Sequence, residues 1–414
     1  MASYHLETYG CTANRGESRA IERRLRDGGH HPVDGPAAAD VAILNTCTVV
    51  ETTETNMLSR ARELEAETSD LVVTGCMALA QGEEFADLDA TVCGWDEVPE
   101  VVLNGECPTT TPSTEPVLDG VVGILPIARG CMSDCSYCIT KHATGKIDSP
   151  SVGENVEKAR ALVHAGAKEL RVTGQDTGVY GWDDGERKLH ELLDRICAID
   201  GDFRVRVGMA NPKGVHGIRE ELAEVFAENE KLYNFLHAPV QSGSDDVLGE
   251  MRRQHQVREF REVVETFDDR LDHWTLATDF ITGFPTEDDA DHEASMDLLR
   301  ETRPERINVT RFSKRPGTDA ADMKGLGGTI KKERSSAMTD LKMDIVGAAY
   351  ESMVGERHEV LVVEPGTGES VKCYDEAYRQ VIIRDAPDHG VEPGDLMDVE
   401  ITGQNTVYAF GEPI

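Results

Sequence analysis

Residues 130–139 read Gly-Cys-Met-Ser-Asp-Cys-Ser-Tyr-Cys-Ile, and this stretch decides both the fold and the chemistry expected of the chain. Cys131, Cys135 and Cys138 are separated by three and then by two residues. Three thiolates in so short a loop can bind three irons of a cubane cluster, which leaves the fourth iron without a protein ligand. The spacing therefore predicts a [4Fe-4S] cluster with one iron open to a small molecule.

A zinc site is the alternative interpretation of this loop. His142 follows Cys138 by four residues, so a Cys3His ligand set is available in the sequence. A zinc site would leave unexplained three further cysteines near the amino terminus. We therefore favour the iron–sulfur cluster.

The first hundred residues alternate short apolar runs with helical stretches, which is typical of an open α/β sheet. Strands predicted at 3–8, 40–46 and 70–74 each end beside a cysteine: Cys11, Cys47 and Cys76. The carboxyl ends of parallel strands share one edge of the sheet, where ligands bind. We predict that these thiols bind a second cluster; one buried core cysteine per strand is the alternative.

Strands and helices alternate again between residues 121 and 347, which predicts a complete or partial (β/α) barrel with function on the loops after the strands. The helix expected at 189–197 contains Cys197 as an ordinary core residue. Residues 311–328 are locally basic; we interpret them as a solvated loop, with contact to RNA as the alternative.

After residue 350 short alternating strands are separated by Gly, Pro and Asp turns, which predicts a small β-barrel of OB-like type. Its aromatic residues are candidates for base stacking or for the core: Tyr374, Tyr378, Tyr408 and Phe410. Residues 101–118 are rich in Thr and Pro and indicate a linker. Cys107 in the linker and Cys93 before it are interpreted as structural. The predicted domains are 1–110, 117–349 and 350–414.

The composition is strongly acidic, with 42 Lys and Arg against 77 Asp and Glu and a net charge of −35. Such a surface repels itself in dilute buffer, and molar salt screens the repulsion, a pattern typical of a halophile. At high salt the acidity is a weak argument against a nucleic-acid partner. No stretch predicts a signal peptide or a membrane span, so we expect a cytoplasmic protein with reduced thiols.

Several motifs together resemble the radical S-adenosylmethionine (SAM) methylthiotransferases. The 131–138 spacing, with Tyr137 before the last cysteine, resembles the radical-SAM signature. Residues 8–18, 45–49 and 74–78 look like the three signatures of the methylthiotransferase amino-terminal domain. Residues 139–146 resemble the archaeal and eukaryotic branch, which acts on N6-threonylcarbamoyladenosine in tRNA. Thr144 stands where that branch usually has arginine.

The resemblance implies a tRNA-modifying enzyme that inserts a methylthio group at carbon 2 of N6-threonylcarbamoyladenosine at position 37, in the anticodon loop. It implies two [4Fe-4S] clusters and SAM, a 5′-deoxyadenosyl radical that abstracts the hydrogen, an electron-donor protein, and a carboxy-terminal TRAM domain that binds RNA. SAM contacts are expected from Tyr137 and from the loops after the strands, at Gly174, Gln175, Gly208, Asn211, Gln241 and Ile281.

Three alternatives remain open from the sequence. Related methylthiotransferases act on isopentenyladenosine in tRNA or on an aspartate of a ribosomal protein. A chain of another class, a non-catalytic iron–sulfur or zinc protein that binds RNA, would use the same cysteines. Metal content and SAM cleavage distinguish the enzymes from the binding protein.

Overall fold

The computed structural model describes residues 2–48, 51–102 and 116–414. The described chain comprises an amino-terminal parallel sheet with helices, a central α/β region and a carboxy-terminal closed β-barrel. The α/β architecture predicted from the sequence is therefore confirmed. No helix in these ranges is long and apolar enough to cross a bilayer. Cys107 and most of the predicted linker lie outside the described residues.

The amino-terminal region is a five-stranded parallel sheet in the order β2-β1-β3-β4-β5. Its strand β3 is buried along its whole length, which explains its continuous apolar sequence. The elements are β1 (Ser3–Thr8), α1 (Thr12–Asp27), β2 (His31–Pro32), β3 (Val41–Thr46), α2 (Glu51–Glu67), β4 (Asp70–Gly75), α3 (Cys76–Ala80), β5 (Ala90–Val92) and α4 (Val98–Val102).

The central region alternates strands and helices. Several helices begin at sequence-encoded caps; Ser151 and Glu154, for example, form a capping box at the start of α6. The elements are β6 (Val122–Pro126), α5 (Thr140–Thr144), α6 (Val152–His164), β7 (Glu169–Thr173), α7 (Leu189–Cys197), β8 (Arg204–Val207), α8 (Pro212–His216), α9 (Arg219–Glu228), β9 (Phe235–His237), α10 (Asp245–Glu250), α11 (Val257–Arg270), β10 (Thr275–Thr282), α12 (Asp289–Thr302), β11 (Arg306–Arg311), α13 (Asp319–Asp322) and α14 (Gly328–Ser352).

Two three-stranded parallel sheets, β6-β7-β8 and β11-β10-β9, form the wall of the central region. A parallel bridge between Val205 of β8 and Leu232 just before β9 joins them. The strands are parallel and each pair is connected through helices, so this is a partial (β/α) barrel. All of its strands end on one side, and that side carries the loops on which the sequence predicted function.

The carboxy-terminal barrel closes in the order β12-β13-β14-β16-β15. It packs against the amino-terminal ends of the central strands, because Leu361 and Val363 contact Val122 and Ile124. Its strands are β12 (Arg357–Pro365), β13 (Val371–Asp375), β14 (Gln380–Ile383), β15 (Leu396–Gln404) and β16 (Ala409–Pro413).

The same docking surface decides the role of two aromatic residues of the barrel. Tyr378 is 5% exposed and packs on Tyr233 and Phe235 of the central region. Tyr374 stacks on Tyr378 with ring centroids 4.3 Å apart. Of the four aromatic candidates for base stacking, these two belong to the core between the domains.

Candidate functional site

The first three cysteines lie at one edge of the amino-terminal sheet. Cys11 precedes α1, Cys47 follows β3, and Cys76 is the first residue of α3 directly after β4. The strands β1, β3 and β4 are neighbours in the sheet, so their carboxyl ends bring the three thiols to adjacent positions. Gly10 is in close contact with Cys47, since a Cβ on Gly10 would lie 2.9 Å from the Cys47 Cβ.

A buried amide network holds this edge in place. Asn14 Nδ2 donates to Asn45 Oδ1 at 3.0 Å and to the carbonyl of Thr46 at 3.1 Å. Asn45 Nδ2 donates back to the carbonyl of Asn14 at 2.9 Å and to Ser18 Oγ at 2.9 Å. The first turn of α1, after Cys11, and the end of β3, before Cys47, are thereby joined, which explains the asparagine in each of these two motifs.

The environment of these thiols suits metal ligation. Burial raises the pKa of the Cys76 thiol strongly, and the nearby Glu17, Cys11 and Cys47 raise that pKa further. Cys11 Sγ donates to Asn14 Oδ1 at 3.3 Å. All three are free thiols. These thiols would lose their protons on binding iron, and the positive charge of the iron would offset the repulsion between the resulting thiolates.

The second trio lies on the loop after β6. The loop is fixed at its start by Gly130, whose φ of +80° and close contact with the Lys146 carbonyl exclude a side chain. The Gly130 N–H donates to Gln175 Oε1 at 2.8 Å. Burial, together with the charge of Asp176, raises the pKa of Cys131 to about 11.

Arg253 provides the positive charge of the cluster loop. Its Nη1 donates to Cys135 Sγ at 3.7 Å, and its Nη2 donates to the carbonyl of Pro239 at 2.6 Å. Burial raises the pKa of the Cys135 thiol, and the guanidinium of Arg253 opposes that rise. A buried guanidinium beside a thiol suits a ligand that becomes anionic.

The spacing of the thiols bears on the kind of metal centre. Within the described ranges, no three His, Cys, Asp or Glu side chains converge as a single metal ion requires. The Cys3His zinc site that includes His142 is therefore not assembled. A cubane takes each thiolate on a separate iron, so its ligands do not need to converge on one point. The residues present fit a cluster better than a zinc ion.

One cavity lies where the segments that carry the two trios meet. Helix α3, which begins at Cys76, packs against α5, which follows Cys138. The cavity has a volume of about 520 Å³. Thr48, next to Cys47, and Cys138 both line it, together with Tyr137, Ile139, Thr140, Gln241, Asp279, Ile281, residues 308–313, Arg315 and Lys342.

The predicted SAM contacts separate into two groups. Tyr137, Gln241 and Ile281 line the cavity, and the positive φ of +77° at Gln241 turns the chain there. Gly174, Gln175, Gly208 and Asn211 lie on the loops after β7 and β8, and the last three have roles within the protein itself. Gln175 binds Gly130, a side chain on Gly208 would approach the Val172 carbonyl within 2.8 Å, and Asn211 caps α8. The assignment of all seven to SAM stays a prediction.

Two carboxylates near the site, Asp176 after β7 and Asp279 in β10, were given no role by the sequence. Asp176 is 2% exposed, and its Oδ1 accepts from the N–H groups of Gly178 and Asn211. Its Oδ2 has no partner within the described part of the chain. Burial raises the pKa of Asp176. Burial also acts to raise the pKa of Asp279, but hydrogen bonds from His237 and Asn308 lower it below its usual value.

Two arginines show what the sequence interpretation missed. Arg253 lies 118 positions from the cysteine it contacts, and its sequence carries no signal of that contact. The basic stretch at 311–328 was interpreted as a solvated loop, which is wrong for Arg315: it is 5% exposed, because it pairs with Glu54. Thr144, where arginine was expected, bonds back to the carbonyl of Thr140 in its own helix.

Family comparisons agree with this division of the chain. Residues 125–299 match the family described as "Radical SAM superfamily". Residues 3–94 match the family described as "Uncharacterized protein family UPF0004". The two matches contain the second and the first cysteine trio, respectively.

Solved structures with similar folds are radical SAM enzymes. The methyltransferase TsrM from Kitasatospora setae matches with a TM-score of 0.57 and 14% identity over 77% of each chain. The cobalamin-dependent enzyme OxsB matches with a TM-score of 0.54 and 12% identity, covering 83% of this chain and 56% of that one. At these identities the likeness shows the fold alone.

Curated relatives align over nearly the whole chain. A protein of Archaeoglobus fulgidus named "Probable threonylcarbamoyladenosine tRNA methylthiotransferase" is 36% identical over 98% of this chain and 97% of its own length. A Pyrococcus abyssi protein of the same name is 34% identical over 100% and 99%. The human threonylcarbamoyladenosine tRNA methylthiotransferase is 28% identical over 99% of this chain and 73% of its own. The chain therefore belongs to the threonylcarbamoyladenosine tRNA methylthiotransferase family.

Proposed function

We propose that this protein inserts a methylthio group at carbon 2 of N6-threonylcarbamoyladenosine at position 37, in the anticodon loop of tRNA. It would use SAM and two [4Fe-4S] clusters, one on Cys131, Cys135 and Cys138 and one on Cys11, Cys47 and Cys76. The names of the full-length relatives support the substrate and the reaction. The alternatives, isopentenyladenosine and a ribosomal-protein aspartate, have no such support.

One observation carries the two-cluster part of the proposal: Cys138 of one trio and Thr48, next to Cys47 of the other trio, line the same cavity, and the helix that begins at Cys76 packs against the helix that follows Cys138. Carbon 2 of adenine carries a C–H bond that no side-chain base can deprotonate usefully, so a cofactor must supply the chemistry. SAM and the clusters, when bound, would supply a radical and the sulfur to be inserted. The protein has to hold one adenine between them, and a cavity of about 520 Å³ is of the size that ligands of this kind occupy.

The residues around the cavity have positioning roles in this proposal. Gln175 holds the backbone of the cluster loop through Gly130, and Arg253 balances the charge of Cys135. Tyr137, Gln241 and Ile281 form the wall against which SAM would lie. The free Oδ2 of Asp176, buried beside Cys131, is available to accept a hydrogen bond from a bound cofactor.

RNA would reach the cavity as a single-stranded loop, whose bases can be splayed out. The carboxy-terminal barrel is proposed to act as the RNA-binding TRAM domain. With Tyr374 and Tyr378 in the core, its candidate stacking residues are Tyr408 and Phe410, which are half-buried. The exposed Arg384 lies over the Phe410 ring at 3.8 Å, so an arginine and two aromatic rings share one face.

Nucleoside mass spectrometry tests the proposal directly. Total tRNA from a strain that lacks this protein should contain N6-threonylcarbamoyladenosine without the 2-methylthio group. Expression of the unaltered chain should restore the modification, and a chain with Cys11, Cys47 and Cys76 changed to Ala should not. Persistence of the methylthio nucleoside in the deletion strain would exclude the proposed reaction, and a change confined to a ribosomal protein would favour that alternative.

A further inference from the structure

Arg315 is a buried guanidinium with an unused donor in the wall of the cavity. It lies between β11 and α13, lines the cavity and is 5% exposed. Its Nη1 is 2.8 Å from Glu54 Oε2. Its Nη2 is also buried and has no hydrogen-bond partner among the residues that the structure describes. A buried donor without a partner is costly to the folded protein, so its presence in a cavity points to a ligand that accepts from it.

The guanidinium is held in one orientation from the amino-terminal domain. Glu54 on α2 also accepts hydrogen bonds from Thr48 Oγ1 and, at 2.8 Å, from Gln81 Nε2. Gln81 in turn donates to Thr48 at 2.6 Å. The guanidinium is planar, so the contact of Nη1 with Glu54 also fixes the position of Nη2. A ligand that binds Nη2 would therefore cost little additional side-chain entropy.

The charge around the cavity favours an anion. Arg311 and Lys342 line it along with Arg315, so three cations face it. Asp279 is the one acidic residue among the described residues that line the cavity, and its carboxylate already accepts hydrogen bonds from His237 and Asn308. Burial lowers the pKa of Lys342, which is consistent with a lysine drawn into the wall. A local excess of cations is notable in a chain of net charge −35.

The proposed substrate offers one matching anion on its base. An N6-threonylcarbamoyl group ends in the carboxylate of threonine, whereas its carbamoyl link and the adenine ring are neutral. We propose that Arg315 Nη2 binds this carboxylate and so selects adenosines that carry an acidic N6 substituent. The inference rests on the proposed function, since it concerns the substrate named there. RNA phosphates and the carboxylate of SAM are the other sources of the same chemistry.

Neutralising the carboxylate on the substrate separates these sources. Two anticodon stem-loop RNAs are compared, one carrying N6-threonylcarbamoyladenosine and the other its methyl ester, with reconstituted full-length protein. Both RNAs have the same phosphates and meet the same SAM. We expect the unaltered protein to show a kcat/KM about 10- to 100-fold higher for the acid, the range expected for a hydrogen bond to a charged group.

The variant Arg315→Gln should lower this acid-to-ester ratio to about one, because the ester loses nothing when the arginine is gone. Lys324→Gln is the matched control: Lys324 is an exposed cation of the same segment and does not line the cavity. It should keep the ratio of the unaltered protein. A variant that merely weakened the fold would lower both rates and leave their ratio unchanged.

Two results would overturn the role of Arg315: a ratio near one for the unaltered protein, or an unchanged ratio in Arg315→Gln. If Arg315→Gln fails to fold or to bind iron, Arg315→Lys replaces it; lysine keeps the charge without the fork, and its ratio should fall below that of the unaltered protein. An unaltered protein that methylthiolates neither RNA contradicts the proposed function itself. Product formed equally from both RNAs contradicts the role of Arg315 alone.

Discussion

Replacement of Tyr378 by Ala should loosen the carboxy-terminal barrel from the central region. The Tyr378 ring lies 4.3 Å, 4.8 Å and 5.0 Å from the rings of Tyr374, Tyr233 and Phe235, centroid to centroid. Truncation of a large buried aromatic to Ala costs about 3–5 kcal/mol, since the cavity left behind collapses only in part. We expect a loss of this size in the free energy that keeps the barrel folded and docked.

Hydrogen exchange measures this loss in the strands concerned. Amides of β12–β16 should exchange about 100- to 3,000-fold faster in Tyr378→Ala, since each 1.4 kcal/mol corresponds to a factor of ten. Tyr408→Ala is the matched control. Tyr408 is also a tyrosine of the barrel, but it is half-buried and packs on Phe410 rather than on the central region. The Tyr408→Ala variant should change amide hydrogen exchange little. It should weaken tRNA binding about 5- to 100-fold, as expected for the loss of one stacked base. An increase below tenfold in Tyr378→Ala would refute the docking argument.

Three further predictions concern metal, salt and pH. Reconstituted protein should contain about eight irons per chain, and the triple Ala variant of either cysteine trio should contain about four. Iron analysis and EPR measure this. Loss of all iron on removal of one trio would contradict two separate clusters. Stability and tRNA affinity should both rise between about 0.1 and 2 M KCl. The Debye length shortens from about 10 Å at 0.1 M to about 3 Å at 1 M, which weakens the repulsion among carboxylates and between carboxylates and phosphates. Circular dichroism and binding titrations test this, and affinity that falls steeply while the fold stays intact would contradict it. Hydrogen bonds from Arg60, and also from His5 and Tyr9, lower the pKa of Glu7 to about 2 from its usual 4.5. The ion pair with Arg60 and these bonds therefore stabilise the fold fully above pH 4.5, and this stabilisation is lost as the pH falls towards 2. Glu7→Gln should therefore cost up to about 3 kcal/mol at pH 7 and little near pH 2 in urea unfolding; an equal cost at both pH values would argue against the ion pair.

The sequence predicted those parts of the site that depend on local spacing. The cluster loop is a single short segment. Cys47 and Cys76 follow clearly apolar strands, and Cys11 follows a strand with a shorter apolar pattern, so the shared sheet edge of the three followed from topology. The ends of helices were predicted less accurately. The amphipathic pattern of α1 predicts a helix that starts at residue 17, but the helix begins at Thr12, directly after Cys11. The first turn of that helix carries Asn14, whose role depends on Asn45 in another strand.

The sequence could not predict which charged residues are buried, and the reason is physical. An arginine is stable in the interior only with a partner, and the partner of Arg315 lies in a different domain. Read alone, its segment is basic and rich in glycine, which indicates a solvated loop. In the same way, alternating residues of the carboxy-terminal strands show that one face is buried, but not that Tyr378 is buried by another domain.

The length of β11 sets a minimum size for the RNA. Arg306, its first residue, lies against the barrel, with its guanidinium 5.2 Å from the Tyr378 ring centroid, and Arg311, its last, lines the cavity. Six strand residues extend about 20 Å. An RNA that touches the barrel while placing a base in the cavity must span at least that distance. A free nucleoside is too short to reach both, so contact with the barrel and the cavity together would favour a folded stem and loop over isolated nucleosides.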